Sequence, residues 1–147
     1  MLSDEQLDDA WIDGFDYTPD EGPIYIRLGR ESTGVDGQVI LGTARYFDHN
    51  LSEGKLIITT GEMLLPALDT EADVLHYHTL KPFDRDTLLR LPHEDITVWE
   101  DHTVIGGLGS AVAEVLAPIK RVGVNDVFVR EYGTVETLRQ HHMEGIC

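Results

Sequence analysis

The chain has a single cysteine, Cys147, which is also its last residue, so no disulfide can close within it. That makes the cytosol the expected compartment. There is no run of 18 apolar residues, which excludes a membrane-crossing helix. The first nine residues are acidic rather than basic and then apolar, so no secretory signal is expected there. Lysine is nearly missing: Lys55, Lys81 and Lys120 are the only three, and 11 basic residues face 27 acidic ones for a net charge of −16. Phosphate contacts need a basic surface, so a nucleic-acid partner is excluded and none is expected from a membrane either. The acidity itself has two readings, a well-solvated surface or adaptation to high salt. HExxH and cysteine-based metal patterns are missing, as are internal repeats and low-complexity tracts.

What is present suits one domain with an appendage, since 147 residues can bury a sizeable core. Leu7, Ala10 and Trp11 make a short amphipathic helix with Ser3 as its N-cap, ended by Gly14. An acidic turn-rich loop over 16–23 leads to a strand, Ile24-Tyr25-Ile26-Arg27-Leu28. After a linker over 31–38, strands are expected over 39–47 and 56–60. The turn between them, with Asp48, His49, Asn50 and Gly54, predicts an antiparallel hairpin. A very short helix over 61–68 precedes a strand over 74–78. Asp84 is placed to cap a helix over 85–91, and Pro92 leads into the next strand. A strand over 119–122 and a final helix beginning at Thr134, with Thr134 as N-cap, complete the pattern.

The organising stretch is 96–116. Ile96, Thr97, Val98 and Trp99 form a strand, and Glu100, Asp101 and His102 stand where it would end. Gly106, Gly107 and Gly109 then allow a close backbone reversal. Leu108, Val112, Val115 and Leu116 follow at i, i+4, i+7 and i+8, one apolar face of a helix expected to run to Pro118. This is a strand, glycine turn and helix of an α/β layer.

Each candidate site also has a structural reading. Gly107 and Gly109 match two glycines of a dinucleotide fingerprint, but the acidic residue needed about 20 positions on is replaced by Lys120 and Arg121. His102 beside Glu100 and Asp101 has the makings of an acid–base group. No serine or cysteine is placed in sequence as its nucleophile, and a structural role is favoured. His76 and His78 lie two apart on a strand, as metal ligands can, with His141 and His142 as a terminal pair. With no third ligand in the pattern, these are read as incidental histidines and no metal site is assigned.

The motifs also carry a family resemblance. E-D-H-T-V-I-G-G-L-G-S-A-V-A-E-V-L over 100–116 resembles the signature of the transketolase C-terminal domain. G-P-I-Y-I-R-L-G-R-E over 22–31, I-I-T-T-G over 57–61, H-T-L-K-P-F-D over 78–84 and R-V-G-V-N-D-V-F over 121–128 follow in that family's order. The resemblance implies a three-layer α/β/α domain with a mostly parallel sheet of about five strands, one of them antiparallel. It implies that residues 1–31 are the closing helix and strand of a preceding pyrimidine-binding domain, and that 32–147 form the C-terminal-like domain, with shortened helices. It places Glu100, Asp101, His102, Gly106, Gly107 and Gly109 in a structural or interface role, with no catalytic residue. Arg30, in Leu28-Gly29-Arg30, matches an arginine that reaches a sugar phosphate in the family, and a guanidinium fork suits that dianion.

The family's thiamine diphosphate and magnesium require a Gly-Asp-Gly stretch and an activating glutamate that this sequence does not contain. The expectation is therefore a non-catalytic C-terminal section or subunit of a split transketolase, inactive and cofactor-free alone. Thiamine diphosphate and magnesium are then implied for the assembled enzyme, and the partner is a thiamine-binding subunit or a second copy. The alternatives are an interaction or regulatory module or a remnant docking on such an enzyme, or the equivalent domain of deoxyxylulose phosphate synthase or a 2-oxoacid dehydrogenase beta subunit.

Overall fold

The computed structural model describes residues 25–27, 35, 39–49 and 54–143. The expected N-terminal helix, most of the linker and Arg30 lie outside the described residues, while residues 25–27 of the expected strand over 24–28 are described and form no strand. Five strands form one sheet: β1 (Arg45–Phe47), β2 (Lys55–Thr59), β3 (Asp73–His76), β4 (Asp95–Thr103) and β5 (Lys120–Val124). Their spatial order is β1-β3-β2-β4-β5. β1 is antiparallel to β3, and the other pairings are parallel. Between them run a 3-10 turn (Gly61–Met63), α1 (Leu64–Leu68), α2 (Arg85–Arg90), α3 (Leu108–Ala113) and α4 (Val135–His142).

Alternation along the strands makes the layers. Leu56 and Ile58, Leu75 and Tyr77, and Ile96 and Val98 meet Leu88 of α2 and Leu108 and Val112 of α3 on one face. Ile57, Val74, Trp99 and Val122 meet Met63, Leu64 and Ala67 on the other. Both faces are covered, which is why the central strands read as continuous apolar runs. None of the helices exceeds eight residues. Helices that short hold together by packing on the sheet rather than by their own propensity.

Three local expectations change. The hairpin of β1 with β2 does not form, because β2 is taken on both sides by parallel neighbours and is buried along Leu56–Thr59. β1, short and half-exposed, takes the edge beside β3 instead. The Asp73 carboxylate holds it there, accepting from Tyr46 Oη at 2.7 Å and from the His49 amide at 2.9 Å. Second, β4 continues through Glu100, Asp101 and His102 to Thr103 rather than ending before them. Its pairing with β5 shifts register between Trp99 and Thr103, and the bulge lets the strand run on past the regular ladder. Third, α3 stops at Ala113, because the chain tightens there: Val115 donates to Val112 O at 2.9 Å, one residue short of the α-helical spacing. Val115 and Leu116 still pack against the core.

The caps follow the sequence. Asp84 Oδ1 accepts from the Thr87 amide at 3.0 Å, and Thr134 Oγ1 from the Thr137 amide at 3.3 Å. Asp84 does a second task, with Oδ2 accepting from the Ala44 amide at 2.8 Å.

Candidate functional site

The bulge carries Glu100 under the glycine turn that joins β4 to α3. Its side chain is fully buried, and Oε1 accepts from the Gly109 amide at 2.9 Å. Oε2 lies 3.3 Å from His102 Nε2 and has no hydrogen-bond partner. His102 Nδ1 is 2.8 Å from Thr103 O, and a carbonyl can only accept, so Nδ1 carries a proton. Asp101 Oδ1, next in the strand, is buried without a partner.

The glycines are what let this carboxylate lie there. A Cβ at Gly107 would collide with Glu100 Oε2 and His102 Cε1. One at Gly109 would stand 2.8 Å from Glu100 Oε1 and 2.9 Å from Arg121 Cδ. Gly106 turns the chain with φ +75, a conformation side chains rarely adopt. Ser110 Oγ accepts from the Gly106 amide at 3.2 Å and from Arg121 Nη1 at 3.3 Å, tying turn, helix and β5 together. A turn of this shape can cradle a phosphate. Here the place next to the Gly109 amide is held by the chain's own carboxylate. The arrangement is chemically an internal carboxyl group held by the Gly109 amide, with the His102 ring beside it.

Gly123 on β5 has the same character, though nothing in the sequence marked it. A Cβ there would stand 2.8 Å from His102 O, so the bulged backbone of β4 needs glycine opposite it.

The remaining candidates are apart from this cluster. His76 is fully buried at the C-terminal end of β3, both ring nitrogens lack partners, and burial pushes its pKa well below the usual histidine value. Thr59, its register partner on β2, has a buried hydroxyl with no partner either. His78 Nδ1 meets Thr79 Oγ1 at 2.8 Å, and burial lowers its pKa to about 4. His142 Nε2 is 3.1 Å from Glu131 Oε2. Among the described residues, no three His, Cys, Asp or Glu side chains are grouped to hold a metal ion.

One cluster escaped the sequence reading. Asp73 Oδ2, which binds Tyr46, also lies 2.7 Å from His93 Nε2, and both partners of that contact are nearly inaccessible. Burial, and after it the Asp73 carboxylate, raises the Tyr46 pKa above its usual range, so the phenol stays a donor. Residues 46, 73 and 93 come from three separate elements, and no spacing rule connects them.

The glycine turn lies within the region that known proteins share. A family model described as transketolase, C-terminal domain, matches residues 53–144. A Methanocaldococcus jannaschii protein provisionally described as a transketolase C-terminal section is 32% identical over 85% of this chain and 45% of its own length. A 6-deoxy-6-sulfo-D-fructose transketolase subunit from a Clostridium species is 37% identical over 82% of this chain and 42% of its own length. The 1-deoxy-D-xylulose-5-phosphate synthase of Alteromonas mediterranea is 28% identical over 89% of this chain and 21% of its own length. The chain thus spans less than half the length of each of these relatives.

Proposed function

Because the chain belongs to the transketolase C-terminal domain family, we propose that it is a non-catalytic C-terminal section of a split transketolase. The assembled enzyme moves two-carbon ketol units between sugar phosphates, and another chain supplies the thiamine-binding domains. One relative's name includes the word subunit, which supports a divided enzyme. The likeness to deoxyxylulose phosphate synthases favours, as a second reading, the equivalent section of such a synthase.

The observation that carries the non-catalytic half of this reading is the Glu100 carboxylate. Thiamine diphosphate needs a cradle for its diphosphate, and the glycine turn of β4 and α3 already holds the Glu100 carboxyl group against its Gly109 amide. A phosphate brought to the same amide would find its donor already taken and the space beside Gly107 filled by Glu100. The residues described at this turn therefore do not fit the cofactor. Glu100, Asp101, His102 and Gly106, Gly107 and Gly109 then serve to shape this end of the sheet for a neighbouring domain. Arg30 is proposed as a contribution to the sugar-phosphate site of the assembled enzyme.

Affinity purification of the tagged full chain from its native source tests the reading. A co-purifying chain that releases thiamine diphosphate on denaturation is the expected result. A chain that purifies alone, or only with proteins free of thiamine diphosphate, contradicts it.

A further inference from the structure

The segment joining β5 to α4 carries apolar side chains that are left exposed among the described residues. Phe128 is 94% exposed and Tyr132 fully so, with Val127, Val129 and Val135 about half exposed around them. Five large apolar side chains within nine residues stand exposed in a sequence of which only 7% is aromatic. The segment is nonetheless held at its base. The Val127 amide donates to Asn125 O at 2.8 Å, Asn125 to His142 O at 3.3 Å, and His142 Nε2 meets Glu131 Oε2 at 3.1 Å. Arg139 of α4 pairs with Glu62 of the 3-10 turn. The whole segment over 125–137 is exposed, and its apolar side chains stand in the open although its ends are tied to α4.

We propose that this segment, centred on Phe128 and Tyr132, is the docking surface for the chain that carries the thiamine-binding part of the enzyme. The inference rests on the split-transketolase reading above and names the surface it uses. Two observations choose this occupant. The patch lies inside the family-matched residues 53–144, while the chain spans less than half of its relatives, so they carry over half their length beyond this region. A surface of this domain must then face the remainder, and exposed aromatic anchors of this kind dominate binding energy where they enter a partner's pocket. A second copy is disfavoured by charge: each chain carries −16, and Asp126, Glu131 and Glu136 rim the patch against Arg130 alone. The partner surface that fits is an apolar pocket with a basic rim.

The test places a photo-reactive benzoylphenylalanine at position 128 of the full chain in its native cells, with position 114, on the exposed end of α3, as control. An adduct from position 128 with a thiamine-diphosphate-binding chain, much weaker from 114, is the expected result. The double variant Phe128→Ser, Tyr132→Ser should then retain its fold, since these rings touch little, and lose at least tenfold in affinity for that chain. Self-adducts overturn the proposal in favour of a second copy, and adducts with unrelated proteins, or none, also overturn it. If a thiamine-binding chain co-purifies but position 128 stays silent, the surface is wrong and the split enzyme stands. If nothing thiamine-binding co-purifies, both fall.

Discussion

His76 and His78 are the residues whose charge state folding changes most. Both are held neutral by burial, His76 well below and His78 down to about 4 from an ordinary 6.5. The unfolded chain takes up protons at these sites first as pH falls, so their contribution is complete above about 6.5 and is lost on the way to 4. The slope is at most about 1.4 kcal/mol per pH unit for each histidine. Urea unfolding at pH 7, 6 and 5 should show a falling midpoint, and His76→Phe should flatten that fall; equal slopes in both proteins would contradict the assignment. At the glycine turn, Gly107→Val should destabilise the domain by ~1–3 kcal/mol, because its Cβ meets Glu100 and His102. The cost should shrink when Glu100→Ala is added, a coupling a thermal-melt double-mutant cycle reads. Additive losses would mean the carboxylate is not what the glycine accommodates. The need for glycine at 107 was legible in the sequence, but its reason was not. Helix packing was the expected cause, whereas the contact made is with a side chain seven residues earlier.

At the scale of elements, two aspartates fix the edge of the sheet. Asp73 holds β1 through Tyr46 and the His49 amide, and holds the connection before β4 through His93. Asp73→Ala leaves three donors without their acceptor, and should cost about 2–3 kcal/mol, with early loss of amide protection in β1 measured by hydrogen exchange. Protection lost only with global unfolding would show that β1 does not depend on Asp73. Asp84 joins α2 to the segment before β1. Burial opposes its charge, but the bonds from Thr87 and the Ala44 amide outweigh this and hold it below the ordinary carboxylate range. Its contribution is therefore present above about 4 and lost as pH falls through its folded value. The cap at Asp84 could be read from sequence, because it is local. The hairpin was misread for the opposite reason. A turn-rich loop between two strands says they are neighbours in sequence, while partner choice is set by which strand is buried on both sides. The apolar run of β2 was the overlooked signal.

For the whole molecule, the order of elements, the mostly parallel sheet and the two covered faces were all foreshadowed by strand and helix periodicity and by the family motifs. The exposed aromatic segment after β5 was not, since Val127-Phe128-Val129 reads equally well as buried or open until the sheet is closed. The isolated chain should bind no thiamine diphosphate when titrated calorimetrically with magnesium present, and saturable micromolar binding would overturn the account of the filled glycine turn. The most direct measurement is reconstitution. The full chain and the candidate thiamine-binding chain are assayed separately and mixed at increasing ratios, with thiamine diphosphate, magnesium and pairs of sugar phosphates. Ketol transfer that is absent from this chain alone and rises with its addition until one equivalent is bound is the predicted result. Full activity from the thiamine-binding chain alone, unchanged when this chain is added, would contradict it.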